Sequence, residues 1–501
     1  MATARGPAPD AGALSRRATL LTAILPPLAL AAALLAGGLV RWSELRRQSL
    51  WEDEIVSGYL AQSTVPDLLR LTAHNDVHPP LYYLVANTAY HSLHLGMVDA
   101  LRVPSLVAGV ATVAVMFALG WRLAGRWAGA IAAVLTAISP MAVWYSHEGR
   151  MYALTWLLVA LSYLLLAMAC ERPRPHWLVA YALVTGLAQW SDISAFLGIV
   201  PQLAVIATAR SRRWPAVAFL AAFALYAPWV PSLLQQWPLL STATFQIASS
   251  WQLWWHVALA QLGLYAGYAS LGDLVPAGLA ALVLAGYAAV AVAGARAAGP
   301  RLVYGLALAL GPIGLGLALA AAGSRAVVVP RVEGVSSLGF GLCAGMLAAA
   351  ALRSPQVWRY GVAMAAALVI AAGGAAGLAR EVSAGSNGQP WNLWVQALDS
   401  EVRPDDAIVI VPVTLQVVTR AYLPADSLVN IEATSTWVTP IPVLDATLVA
   451  QGARGERLWV LYLDTTGVDI AAHDEYLRAH GYHRISGDPR RRMGVLGYSG
   501  P

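Results

Sequence analysis

The chain has 501 residues, of which only 12% are charged and 58% belong to the apolar set AVILMFWYC; its mean hydropathy is +0.59. Ordinary soluble proteins are about 25% charged, so this composition excludes a water-soluble enzyme, a disordered chain and, despite a net charge of +5, a nucleic-acid-binding protein. All 32 Lys+Arg positions are Arg, and the two cysteines, Cys170 and Cys343, lie far apart in apolar segments, so neither a disulfide framework nor a cysteine metal site is on offer.

About 20 consecutive apolar residues cross a bilayer as a helix, because backbone groups in hydrocarbon must be satisfied internally. Eleven stretches have this character: residues 18–40, 101–120, 127–145, 151–170, 177–190, 194–209, 216–233, 274–296, 302–322, 335–352 and 360–379. The fifth and sixth are short, and 252–271 is either a further span or a helix in the interface. The first is too long for a signal-peptide core and lacks a small-residue cleavage site, so it is read as a span.

Residues 41–100 form a long first outer loop. Trp51-Glu52-Asp53-Glu54 opens an amphipathic helix with Ile55, Tyr59 and Leu60 on its apolar side. Carboxylates at a helix start are favoured by the macrodipole, so this cluster fits either a surface helix or a site. The run His74-Asn75-Asp76-Val77-His78-Pro79-Pro80-Leu81-Tyr82-Tyr83 follows. Pro at the first turn of a helix is tolerated, so Pro79-Pro80 starts a helix through Tyr90, with the polar run at its positive end. His74, Asp76 and His78 alternate, which on an extended stretch turns them to one side and is compatible with a divalent cation; otherwise no cofactor is indicated.

The next outer turn carries Ser139-Pro140 and then Trp144-Tyr145-Ser146-His147-Glu148-Gly149-Arg150-Met151-Tyr152, where Arg150 and Glu148 are either a local ion pair or part of a site. Asp192 lies in another outer turn. Arg331, in Val329-Pro330-Arg331-Val332-Glu333, runs against the positive-inside trend and is a candidate for holding an anion. The tryptophans at 251, 254 and 255 face the substrate or form an interfacial belt. Gly385 to Pro390 reads as a linker; the 117 residues after 384 hold 22 charges against 37 in the first 384. There Trp391 to Val402 and His473 to His480 have helical spacing, while Ala407 to Val411, Leu458 to Leu463 and Met493 to Tyr498 read as strands. The expected organisation is a transmembrane module over 1–384 and a small α/β domain over 385–501.

Arg bias orients the spans. With the N-terminus inside, short loops carrying Arg16 and Arg17, Arg122 and Arg126, Arg172 and Arg174, Arg210 to Arg213, Arg296 and Arg301, and Arg353 and Arg359 alternate onto the cytoplasmic side. Twelve of the fourteen carboxylates before residue 385 then lie outside, with Asp10 and Glu171 the exceptions. The C-terminal domain falls on that outer face of a plasma-membrane protein, where it would bind the acceptor or cover the site.

Asp53 and Glu54 in the first outer loop, Asp76-x-His78-Pro79-Pro80-Leu81-Tyr82-Tyr83, and Ser139-Pro140 with Tyr145 to Tyr152 resemble the GT-C superfamily of polytopic glycosyltransferases. The branch is that of the protein O-mannosyltransferases and the lipid A aminoarabinose transferases. Arg331 fits a later Pro-Arg element, although Val332 stands where that branch usually has Tyr, and His147 and Gly149 stand where Gln and Ala are more usual. The resemblance implies a polyprenyl-phosphate-sugar donor and an acceptor hydroxyl on a glycan, lipid or protein. It implies Asp53 as the base, with Glu54 beside it and Asp76 or His74 tuning it or placing the acceptor. Arg331, Arg150, His78, Tyr82, Tyr83 and Glu148 are then candidates for the donor phosphate and sugar. A secondary transporter and a non-catalytic envelope scaffold are the alternatives; a transporter would place ionisable groups near the bilayer midplane.

Overall fold

The computed structural model describes residues 11–242, 258–264, 276–321, 334–384, 389–403, 405–423, 431–433, 457–463, 470–491 and 493–500. The eleven expected apolar stretches are mostly helical where they are described, but 127–145 is broken at Ser139 and 194–209 at Val200 and Pro201. Among the described residues eight helices are long and apolar enough to cross a membrane, including Ala23–Glu44, Met97–Ala124, Tyr152–Glu171 and Val335–Leu352. Shorter apolar helices at Arg126–Ile138 and Pro175–Ser191, and a pair broken at Pro201, complete the set. Of the stretch 252–271 only residues 258–264 are described, and the tryptophans at 251, 254 and 255 lie outside the described residues.

Burial separates the helices by place. Val335–Leu352 is buried over 83% of its apolar window, whereas Ala23–Glu44 is buried over 17% and leaves Leu28, Leu35 and Leu39 exposed. A soluble monomer does not expose apolar surface on that scale; a peripheral helix in lipid does. At one end of the bundle Glu171 pairs with Arg122 and Arg301, which joins loops assigned to a common side. At the other end Arg46 meets Asp99 and His78 meets Asp192.

Between the first two long helices the chain forms α1 (Glu52–Gln62), α2 (Val65–Asn75) and α3 (Leu81–His91). The second is amphipathic, with Val65, Leu68, Leu71 and Thr72 at helical spacing, and its start is signalled: Thr64 caps Asp67 N–H and Pro66 sits in the first turn. After residue 390 come the helix Trp391–Glu401 and a five-stranded mixed sheet. Its strands are β1 (Ala407–Val411), β2 (Ile431–Ala433), β3 (Arg457–Leu463), β4 (His483–Ser486) and β5 (Met493–Ser499), in the order β2-β1-β3-β5-β4. The short β2 runs parallel to β1, β1 parallel to β3, and β5 antiparallel to both β3 and β4. Strands β1 and β3 are buried nearly throughout, as expected for strands covered on both faces.

Candidate active site

Three pieces of chain meet at the carboxylate-rich end: the N-terminus of α1, the start of α3, and the turn Tyr145–Met151 that precedes the helix Tyr152–Glu171. Adjacent residues of α1 point in different directions, and Asp53 and Glu54 therefore have opposite surroundings. Glu54 is fully buried. Its carboxylate accepts from Arg102 Nε at 2.7 Å and Nη2 at 2.6 Å, from Gly149 N at 2.5 Å, and from Trp51 N at 3.3 Å. Arg102 spends its remaining donors on the carbonyls of Leu45, Gln48 and Ser49. Bidentate charge-assisted bonds of this kind are strong and directional, so Glu54 ties the first outer loop to the helix Met97–Ala124 and to the 145–151 turn.

Asp53 keeps 28% of its side chain exposed, and its Oδ2 lies 3.9 Å from Arg150 Nη2. The buried Arg150 guanidinium also donates to the Asp53 carbonyl at 3.2 Å, to Ser57 Oγ at 3.1 Å and to Tyr83 Oη at 3.2 Å. Burial, against the opposing charge of Arg150 and with that of Asp76 beyond it, holds the Tyr83 phenol well above its ordinary pKa, so it stays protonated. Asp76 ends α2 and accepts from the backbone N–H groups of Val77 and His78; that contact turns the chain into the Pro79-Pro80 start of α3. His78 Nδ1 lies 3.0 Å from Asp192 Oδ1, and Ser194 Oγ donates to the other Asp192 oxygen. Burial pushes Asp192 up, but His78, Ser194 and the Arg150 charge hold it below the ordinary carboxylate range. The partnership of Asp192 with His78 spans 114 positions, which no local pattern reveals.

The structure thus brings together Asp53, Arg150, Tyr83, Asp76 and the His78–Asp192 pair. Other candidates lie apart. Tyr82 turns away, its hydroxyl donating to the Leu101 carbonyl at 2.6 Å. His74 is exposed and uses Nδ1 on the Arg70 carbonyl of its own helix, so the alternation of His74, Asp76 and His78 does not make a shared face; among the described residues no group of three metal-ligating side chains is assembled. Glu148 is buried in the turn, its carbonyl accepting from Arg150 N at 2.8 Å. Arg331 lies outside the described residues.

Gly149 and His147 have reasons of their own. A Cβ at Gly149 would lie 2.7 Å from Leu101 Cβ and 3.0 Å from Glu54 Oε1, so alanine there forces the turn off the buried carboxylate. Gly149→Ala is expected to cost about 1–3 kcal/mol, as overpacking does, read as a lowered Tm in detergent. The His147 imidazole is pushed down to about 3 by burial and then by the charges of Arg102 and Arg41. An unfolded histidine titrates near 6.5, so between the two values the unfolded chain binds the extra proton. The stability held by neutral His147 is therefore complete above about pH 6.5 and is lost as pH falls toward 3. His147→Gln should flatten acid unfolding across that window; an unchanged pH profile would show that His147 does not set it.

Residues 77–232 match the family model described as dolichyl-phosphate-mannose-protein mannosyltransferase. The match includes Tyr83, Arg150, His78 and Asp192, while Asp53 precedes it. No curated protein matches the sequence. Among solved structures, the apo oligosaccharyltransferase of Archaeoglobus fulgidus is 13% identical with a TM-score of 0.53, covering 87% of this chain and 69% of that one. The archaeal oligosaccharyltransferase AglB from the same organism, in complex with an inhibitory peptide and a dolichol-phosphate, is 11% identical with a TM-score of 0.52 over 88% of this chain and 70% of that one. Apo ArnT from Cupriavidus metallidurans is 14% identical with a TM-score of 0.45, covering 94% and 97%. At these identities the oligosaccharyltransferase likenesses concern the fold alone, which is the GT-C-like bundle expected from the sequence.

Proposed function

We infer, from a chain that carries the domain of the dolichyl-phosphate-mannose-protein mannosyltransferase family, that this is an integral membrane glycosyltransferase that uses a polyprenyl-phosphate monosaccharide and an acceptor hydroxyl. The observation that carries the reading is the pairing of a solvent-reachable carboxylate, Asp53, with the buried Arg150, whose other donors fix the Asp53 carbonyl, Ser57 and Tyr83. The acceptor oxygen attacks the anomeric carbon as its proton passes to Asp53. The bond from that carbon to the phosphate oxygen breaks, and polyprenyl phosphate departs with the electron pair, inverting the centre. Phosphate leaves readily, so base catalysis and positioning matter more than a general acid.

Within this reading Glu54 positions Asp53 through Arg102 and Gly149. Arg150 aligns Asp53, and by the resemblance Arg331 is, with Arg150, a candidate for the departing phosphate. His78, set by Asp192, and the Tyr83 hydroxyl beside Arg150 suit the donor phosphate or sugar, and Asp76 fixes the backbone at His78. The acceptor class is a cell-envelope glycan, lipid or protein. Among the described residues most carboxylates gather at one end of the bundle instead of its middle, which favours a transferase over a transporter.

Purified protein supplied with radiolabelled polyprenyl-phosphate sugars should release label from one of them. Retention of label on every such lipid, with envelope glycan, lipid and protein acceptors all present, would sink the reading. The site and the C-terminal sheet belong on the outer face of the plasma membrane; reporters fused at residues 212 and 450 are expected to report opposite sides.

A further inference from the structure

The N-terminus of α1 is completed by residues that come more than three hundred positions later. The first N–H groups of a helix have no partner within it. Here Glu52 N donates to Gln389 Oε1 at 2.9 Å, and just before the helix Leu50 N donates to Tyr422 Oη at 2.6 Å. Ser49 Oγ donates to the same phenol oxygen at 3.3 Å and accepts from Asn392 N at 3.2 Å. At the far end of α1 Arg420 donates to the Gln62 side chain.

Packing follows the same line. Leu50, Ile55 and Ala61 share one buried cluster with Trp391, Val395 and Val417. Gly58 faces the C-terminal segment so closely that a Cβ would lie 2.5 Å from Val417 Cγ1. A different side of α1 carries the Arg150 contacts to the Asp53 carbonyl and Ser57. The helix is therefore held between the 145–151 turn and the C-terminal segment, at both its ends.

We propose that Tyr422 and Gln389 are positioning residues that hold the start of α1 in the orientation in which Asp53 meets Arg150. The expected role of the C-terminal domain in acceptor binding or cover is not needed for this; the proposal rests on Asp53 acting in transfer. Leu50 is fully buried, so its N–H finds no water when the phenol oxygen is removed, and the loop must shift to satisfy it.

The test compares Tyr422→Phe and Gln389→Ala with Tyr498→Phe in the full-length protein. Tyr498 is a buried tyrosine of β5 whose hydroxyl donates to Asp474 at 3.0 Å, away from α1. Tyr422→Phe and Gln389→Ala should each lower kcat about tenfold with donor KM unchanged, and speed hydrogen exchange at the amides of residues 50–55. Tyr498→Phe should leave kcat and that exchange as in the parent while lowering Tm. Unchanged exchange at residues 50–55 in Tyr422→Phe, or an equal loss of kcat in Tyr498→Phe, overturns the proposal. If the parent protein transfers no sugar, the functional reading fails by itself, and the exchange at residues 50–55 alone decides whether the clamp exists.

Discussion

Asp53→Asn is expected to lower sugar transfer by about 10²–10⁴-fold, the contribution typical of a positioned general base, without loss of folding or membrane insertion. The amide is nearly isosteric, and the carboxylate makes no short contact with Arg150, its nearest approach being 3.9 Å. The Asp53 carbonyl, which receives the Arg150 hydrogen bond, is untouched by the change. Transfer assays at matched expression, with thermal unfolding of the same preparations, separate the two effects. Near-normal transfer by Asp53→Asn would remove it as the base.

Glu54→Gln should behave in the opposite manner, with stability failing before chemistry is tested. Arg102 would keep its charge inside the protein and lose its counter-charge and one of its two acceptor oxygens, and breaking one side of a buried pair costs about 3–5 kcal/mol. The Gly149 N–H would lose a charged acceptor as well. Replacing both partners with apolar residues of similar volume, Glu54→Leu with Arg102→Met, should recover a large part of that loss, because no unpaired charge remains. The measurement is a double-mutant cycle on Tm. A cycle in which the double variant is as unstable as the sum of the single ones would show that the two side chains do not act as a pair.

These two neighbours illustrate what the sequence could and could not reveal. Both carboxylates were legible as residues at a helix start, and Pro79-Pro80 located α3 to within a residue or so. Their division of labour was not legible, because it depends on Arg102, which lies 48 positions from Glu54 inside a membrane span and carries no local motif. Asp192 and His78 present the same difficulty over a longer separation. Tyr82 and Tyr83 looked equivalent in the sequence, yet only helical rotation decides that one hydroxyl bonds the Leu101 carbonyl and the other Arg150. The spans were legible from apolar length alone. The strand β2, three residues long, and β4, which is mostly exposed, had too little patterning to stand out.

The bond from Glu52 N to Gln389 crosses 337 positions of chain, and synthesis proceeds at about 5–20 residues per second. The first outer loop therefore waits on the order of 20 to 70 seconds after leaving the ribosome before its last partners exist. During that interval most of the helical bundle is already in the membrane, but the start of α1 lacks its Gln389 and Tyr422 acceptors. Emergence of residues 389–422 and completion of the site become one event, so a chain stalled before residue 389 is a bundle without a finished catalytic loop.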